Sequence, residues 1–165
     1  MVISILDYGQ GNIGSLQNML KKLNAKFKVI TDIEGIKNAD AIILPCVGAF
    51  DTAITNLKSL NAIDELKEKI IIKKSPVLGI CLGMQIFADG SEEGVLPGLG
   101  IIPGQVRRFS NLTEDGKLLR VPHMGWNDAI PARNSRLFPD MFAEYRYYFV
   151  HSYFIEYNPI FDIAS

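Results

Sequence analysis

Pro76-Val77-Leu78-Gly79-Ile80-Cys81-Leu82-Gly83-Met84-Gln85 runs apolar and then turns on two glycines that bracket one cysteine. The apolar run reads as a buried strand, and Met84, Ile86, Phe87 and Ala88 give the following segment helical character. Gly-x-Cys-x-Gly between them is the cysteine form of a nucleophile elbow. Small residues on both sides let the chain turn tightly enough to expose one side chain at the strand's end. Cys81 is that side chain. The free N-H groups of a helix start beneath it favour a thiolate and a developing oxyanion. Taken alone, the same five residues also fit a small buried cysteine at a strand-helix turn.

Working back from this stretch, strands and helices alternate. Val2 to Leu6 is a strand ending in the glycine-rich turn Asp7-Tyr8-Gly9-Gln10-Gly11-Asn12. Ile13, Leu16, Leu20 and Leu23 then recur at helical spacing, with Asn12 as the expected cap. The turn lacks the rest of a dinucleotide fingerprint and has no Gly-Lys-Ser/Thr, which argues against a phosphate loop. Further strands are expected at Lys26 to Ile30 and Asp40 to Leu44. Pro45-Cys46-Val47-Gly48 follows the latter, then a helix capped by Asp51 and another from about Asn61 to Lys74. This alternation implies parallel strands joined by right-handed crossovers. Ligands in such sheets sit beyond the carboxyl ends of the strands. The turns after the first, third and Cys81 strands meet there, and Pro45 to Gly48 becomes a candidate second oxyanion donor beside the N-H of Leu82.

Beyond Phe87 the pattern changes. Leu96 to Gly104 is punctuated by Gly and Pro, and Val106 to Phe109 and Val121 to Ile130 read as shorter strands, an antiparallel extension of one domain spanning 1–165. No linker or internal repeat interrupts it.

Composition narrows the class. At 165 residues the chain can bury a sizeable core, and 48% hydrophobic with 21% charged residues describes a globule. A net charge of −1 without a long run of one sign offers no footprint for nucleic acid or a membrane surface. Asp7 interrupts the N-terminal apolar run too early for a signal peptide or membrane span, so a cytoplasmic location is expected. Two cysteines make no disulfide framework, and with two histidines at no close ligand spacing they suggest neither a metal nor a cofactor. A cysteine nucleophile needs a base, and His123 and His151 are the histidines available. A lone histidine in a strand is, however, more often a hydrogen-bonded structural residue.

Five stretches together resemble the glutaminase subunit of imidazole glycerol phosphate synthase, a class I, triad-type glutamine amidotransferase of histidine biosynthesis. They are Asp7 to Asn12, Leu44 to Phe50, Gly79 to Gln85, Pro122-His123-Met124-Gly125-Trp126-Asn127 and Tyr148-Phe149-Val150-His151-Ser152-Tyr153. The resemblance implies a flavodoxin-like three-layer α/β sandwich, with a central mostly parallel sheet and an antiparallel extension. It implies that Cys81 attacks the glutamine side-chain amide, and that Leu82 and Val47 supply the oxyanion hole. Gly48, Gln85, Ser152 and Tyr153 would hold the substrate. Ammonia would pass to a cyclase partner, a (β/α)₈ barrel bound as a heterodimer, with Asn12, Met124, Trp126 and Tyr148 facing it.

Two departures from the family pattern shape the expectations. Cys46 stands where the family's oxyanion strand usually has glycine, and a side chain disfavours the positive φ that a peptide flip there requires. The family's base and its orienting carboxylate sit in a late His-Pro-Glu segment, and the sequence ends at Ile163-Ala164-Ser165 before one. Without that base, turnover is expected to fall by roughly 10² to 10⁴. Three rivals stay open: a paralogue supplying ammonia to another acceptor such as a surface-polysaccharide sugar, a non-catalytic module that docks on the cyclase, and another elbow-bearing α/β enzyme.

Overall fold

A computed structural model describes residues 1–113, 115–130 and 145–157. Ile163 to Ser165 lie outside the described residues. The first half alternates β1 (Ile3–Leu6), α1 (Ile13–Lys22), β2 (Phe27–Ile30), α2 (Ile33–Lys37), β3 (Ala41–Cys46), α3 (Phe50–Ser59), α4 (Ala62–Lys67) and β4 (Val77–Cys81). The four strands are parallel in the order β2-β1-β3-β4.

Side chains alternate across a strand, so these apolar runs feed two cores. Ile3, Ile5 and Ile43 pack with Ile13, Leu16 and Leu20 of α1. Leu6, Ile42 and Leu44 pack on the other side with Ile36, Phe50, Ile54, Leu57 and Leu66. Helix, sheet, helix is the three-layer sandwich that the resemblance implied. Each buried Leu, Ile or Phe contributes about 1.5–3 kcal/mol by leaving water.

Three local expectations are corrected. Helix α2 was not foreseen, because Ile33 and Ile36 over five residues are too short a signal for periodicity. Asp32 Oδ1 caps it by accepting from the Gly35 N-H at 2.7 Å. Asp51 is not the cap of α3. Ala49 holds that position, and the Asp51 carboxylate accepts instead from the N-H groups of Val95 and Leu96 at 3.0 Å. The helix expected over 61–74 changes pitch, with α4 passing into a π-helical turn over Glu68–Ile72. There the buried Lys69 extends its Nζ to the Ala39 carbonyl at 2.8 Å, which satisfies a cation the core would otherwise reject.

After β4 comes α5 (Leu82–Gln85), only one turn long. Its successors Ile86, Phe87 and Ala88 turn their carbonyls to the N-H groups of Leu99 to Ile102, so the Gly/Pro-rich stretch ends the helix by satisfying it from outside. Strands β5 (Gly90–Ser91), β6 (Gly104–Arg108), β7 (His123–Asp128), β8 (Arg146–His151) and β9 (Tyr153–Tyr157) form two small sheets. β6 pairs with β5 in parallel and with β9 antiparallel, and β7 pairs with β8 antiparallel. The antiparallel extension is thus present.

Candidate active site

Cys81 is a free, exposed thiol with φ +55° and ψ −119°. A residue with a side chain held at positive φ costs of order 1–3 kcal/mol, so its surroundings must hold it there. Both flanking glycines are required for this. A Cβ on Gly79 would run into the Gly83 carbonyl, and one on Gly83 would run into the Leu44 carbonyl of β3. The elbow is therefore clamped on the sheet and turned straight into α5, whose first residue is Leu82.

Register brings the second loop alongside. Cys46 is the pairing partner of Cys81 across β3 and β4, so Val47 and Gly48 leave the sheet edge beside the elbow. Val47 is 71% exposed, and Gly48 has φ +145° with Gln10 Oε1 standing where a Cβ would be. Gln10 belongs to the turn after β1. That turn and Val47 line one open groove, which includes Asp7 and Asn12. Asn12 also caps α1, its Oδ1 accepting from Ser15 N-H at 3.0 Å.

The antiparallel strands supply the other wall. Gln85 is buried on α5, and its Nε2 donates to the Tyr153 carbonyl at 3.3 Å. Ser152, the single residue between β8 and β9, accepts from Phe109 N-H at 2.9 Å. Met124, Trp126 and Tyr148 share the outer face of the β7-β8 pair. Trp126 is 61% exposed and meets Tyr148 edge-on with centroids 5.7 Å apart. They stand in water, not in the core.

His123 and His151 face each other across the opposite side of that pair. His123 Nδ1 lies 3.0 Å from His151 Nε2, and His151 Nδ1 lies 2.9 Å from the Tyr153 carbonyl. His123 Nε2 is taken by the Asn127 amide. All four ring nitrogens are engaged, and neither histidine bonds to Cys81 among the described residues. His151 is therefore not placed as a base for Cys81.

Glu93 escaped the sequence reading, and Asp51 entered it only as a helix cap. Glu93 Oε2 accepts from Phe50 N-H at 3.2 Å, at the start of α3 beside Gly48 and Ala49. The two backbone N-H groups of Val95 and Leu96 hold the Asp51 carboxyl below its ordinary range. Together they draw the 93–96 loop onto α3. Nothing in the local pattern around Ser91-Glu92-Glu93 signals it, because the partners lie more than forty positions away. Among the described residues no group of three metal-ligating side chains converges, and no helix is long and apolar enough to cross a membrane.

A cysteine on a strained strand-to-helix turn, beside a glycine-ended loop at the carboxyl edge of a parallel sheet, defines a class of protein. The chain belongs to the glutamine amidotransferase class-I family, whose model matches residues 4–163. Its relatives narrow the class. The "Imidazole glycerol phosphate synthase subunit HisH" of Bdellovibrio bacteriovorus is 45% identical over 99% of this chain and 80% of its own length. The "Imidazole glycerol phosphate synthase subunit HisH 2" of Methanococcus maripaludis is 42% identical over 93% of this chain and 74% of its own. Among solved structures, a glutamine amidotransferase superposes with a TM-score of 0.69 at 20% identity, over 96% of this chain and 76% of that one. A second, from Thermotoga maritima, gives 0.61 at 18% identity, over 95% and 63%. Both support the fold.

Proposed function

We propose that this chain is the glutaminase subunit of an imidazole glycerol phosphate synthase, a single domain over 1–165 that works in the cytoplasm. The Cys81 thiolate attacks the side-chain carbonyl carbon of glutamine, forming a C-S bond and a tetrahedral oxyanion. Collapse breaks the C-N bond. The thiol's proton goes to the leaving nitrogen, which departs as ammonia. Water then adds to the thioester, the C-S bond breaks, and glutamate leaves; one of water's protons returns to the sulfur and the other passes to solvent.

The observation that carries this reading is Cys81 held at φ +55° between two indispensable glycines, with the Leu82 N-H next in the chain. Leu82 and Val47 are assigned the oxyanion, which such donors stabilise most where charge develops. Gln85, Gly48, Ser152 and Tyr153 are assigned the substrate. Ammonia passes to a cyclase subunit, a (β/α)₈ barrel docked on Asn12, Met124, Trp126 and Tyr148. An exposed Trp and Met on an antiparallel pair suit the anchor of such an interface.

The test is glutamine hydrolysis by the chain alone and with the cyclase and its ligand, against Cys81→Ala. Turnover that needs Cys81 and rises with the partner is expected. Labelling of Cys81 by a glutamine-mimicking alkylator without turnover would point to a docking module with a formed pocket. Failure of both would return the chain to the broader set of elbow-bearing α/β proteins.

A further inference from the structure

The two histidines have no task in the chemistry above, yet every one of their ring nitrogens has a partner. Tyr153 O can only accept, so His151 Nδ1 carries a proton. With that ring neutral, His151 Nε2 accepts, and His123 Nδ1 must donate to it. His123 Nε2 then accepts from the Asn127 amide nitrogen. One proton arrangement satisfies all three contacts with both rings neutral. The rings are also held in place: Phe109 meets His151 edge-on at 5.0 Å, and Phe149 stacks on His123 at 5.1 Å.

The chain of bonds ends on the same carbonyl that accepts from Gln85 Nε2. A carboxamide carries two N-H donors on its nitrogen and two lone pairs on its oxygen, so tying one N-H fixes the orientation of the whole group without exhausting it. With Nε2 tied to Tyr153 O, Gln85 Oε1 is the atom left to accept from a substrate N-H.

We propose that His151 and His123 are positioning residues for the amino-acid substrate: a hydrogen-bond relay from Asn127 on the β7-β8 pair to Tyr153 O, which orients the Gln85 carboxamide. The relay rests on the glutamine reading. It also links the hairpin bearing Trp126 and Tyr148 to the pocket through five named groups. A purely packing role for the rings would tolerate an apolar side chain of similar size; a relay requires the donor at Nδ1.

The experiment compares alkylation of Cys81 by 6-diazo-5-oxo-L-norleucine, which has the shape of glutamine, with alkylation by iodoacetamide, which needs no substrate pocket. Both are read by mass spectrometry on the peptide containing Cys81. His151→Leu removes both nitrogens, whereas His151→Asn keeps an amide N-H near the Nδ1 position. His151→Leu should lower the ratio of the two rates about tenfold, the size of one lost hydrogen bond, and His151→Asn should restore it to within about threefold. An unchanged ratio in His151→Leu, or a His151→Asn variant as slow as it, overturns the relay. If His151→Leu fails to fold, Asn127→Leu at the exposed end decides: a decrease of about two- to threefold supports the relay, and no change overturns it. Absence of diazo-ketone labelling in the unaltered chain, with iodoacetamide still reacting, overturns the glutamine reading and the relay with it.

Discussion

The parallel sheet and the antiparallel pair β7-β8 use apolar residues to opposite ends. In the sheet, Ile5, Leu6, Ile42 and Leu44 are all but completely buried between two layers of helices. In the pair, Met124, Trp126, Tyr148 and Val150 share one face and remain largely in water, while the reverse face holds two hydrogen-bonded histidines against phenylalanine rings. The first region stores the stability that holds Cys81 in a strained conformation. The second leaves large apolar side chains on the surface. The strained cysteine turn and the exposed aromatic face thus come from different parts of the chain, joined where Gln85 meets Tyr153.

The comparison can be broken most severely at the elbow. Cys81→Ala should reduce glutamine turnover by on the order of 10⁴-fold or more, with the fold intact by circular dichroism. Survival of turnover would relocate the chemistry. Next in size, Leu44→Ala should lower unfolding free energy by about 2–5 kcal/mol, whereas exposed Val150→Ala should change it by no more than about 0.5 kcal/mol. Equal effects in a denaturant titration would erase the distinction between the regions. Trp126→Ala should weaken association with the cyclase by about 2 kcal/mol, roughly thirtyfold in Kd, while Met19→Ala on exposed α1 leaves it unchanged. Calorimetry separates the two. Cys46→Gly should raise partner-stimulated turnover roughly fivefold, since a residue with a side chain pays about 1 kcal/mol at positive φ. Unchanged turnover would show that the 46–47 peptide does not need to move.

The smallest effect concerns the 93–96 loop. The Asp51 carboxyl is lowered by the Val95 and Leu96 N-H groups, so its contribution is present at neutral pH and is lost as pH falls through the folded-state value. Exchange protection at Val95 and Leu96, corrected for intrinsic rates, should decline on acidification. In Asp51→Asn that pH dependence should be absent.

How much could be read in advance varied with the range of the interaction. Strands β1 and β3 were legible because both of their faces are covered, which leaves unbroken apolar runs. The equally apolar run of β4 misled on burial: it forms the edge strand, and Leu78 and Ile80 stay exposed. Cys81 and its glycines were legible because a tight turn is a local event, decided within five residues. Asp51 misled because a carboxylate at a helix start has a local use as a cap, and only the folded chain offered it Val95 and Leu96 instead. The π-helical turn at Glu68–Ile72 was likewise not legible, and the contact made from it, Lys69 to the Ala39 carbonyl, joins residues thirty positions apart.

By itself the sequence determined the alternation of strands and helices, the position of the tight turn at Cys81 and the family, since each rests on spacing along the chain. Tertiary structure alone decided that His123 and His151 bond to each other rather than to Cys81. It also decided that Gln85 is tied to Tyr153, sixty-eight positions away, and that the Trp126 face is open to water. The physical reason is that hydrogen bonds and burial act over a few ångströms in space. Strand register, absent from any local pattern, chooses which distant groups come that close.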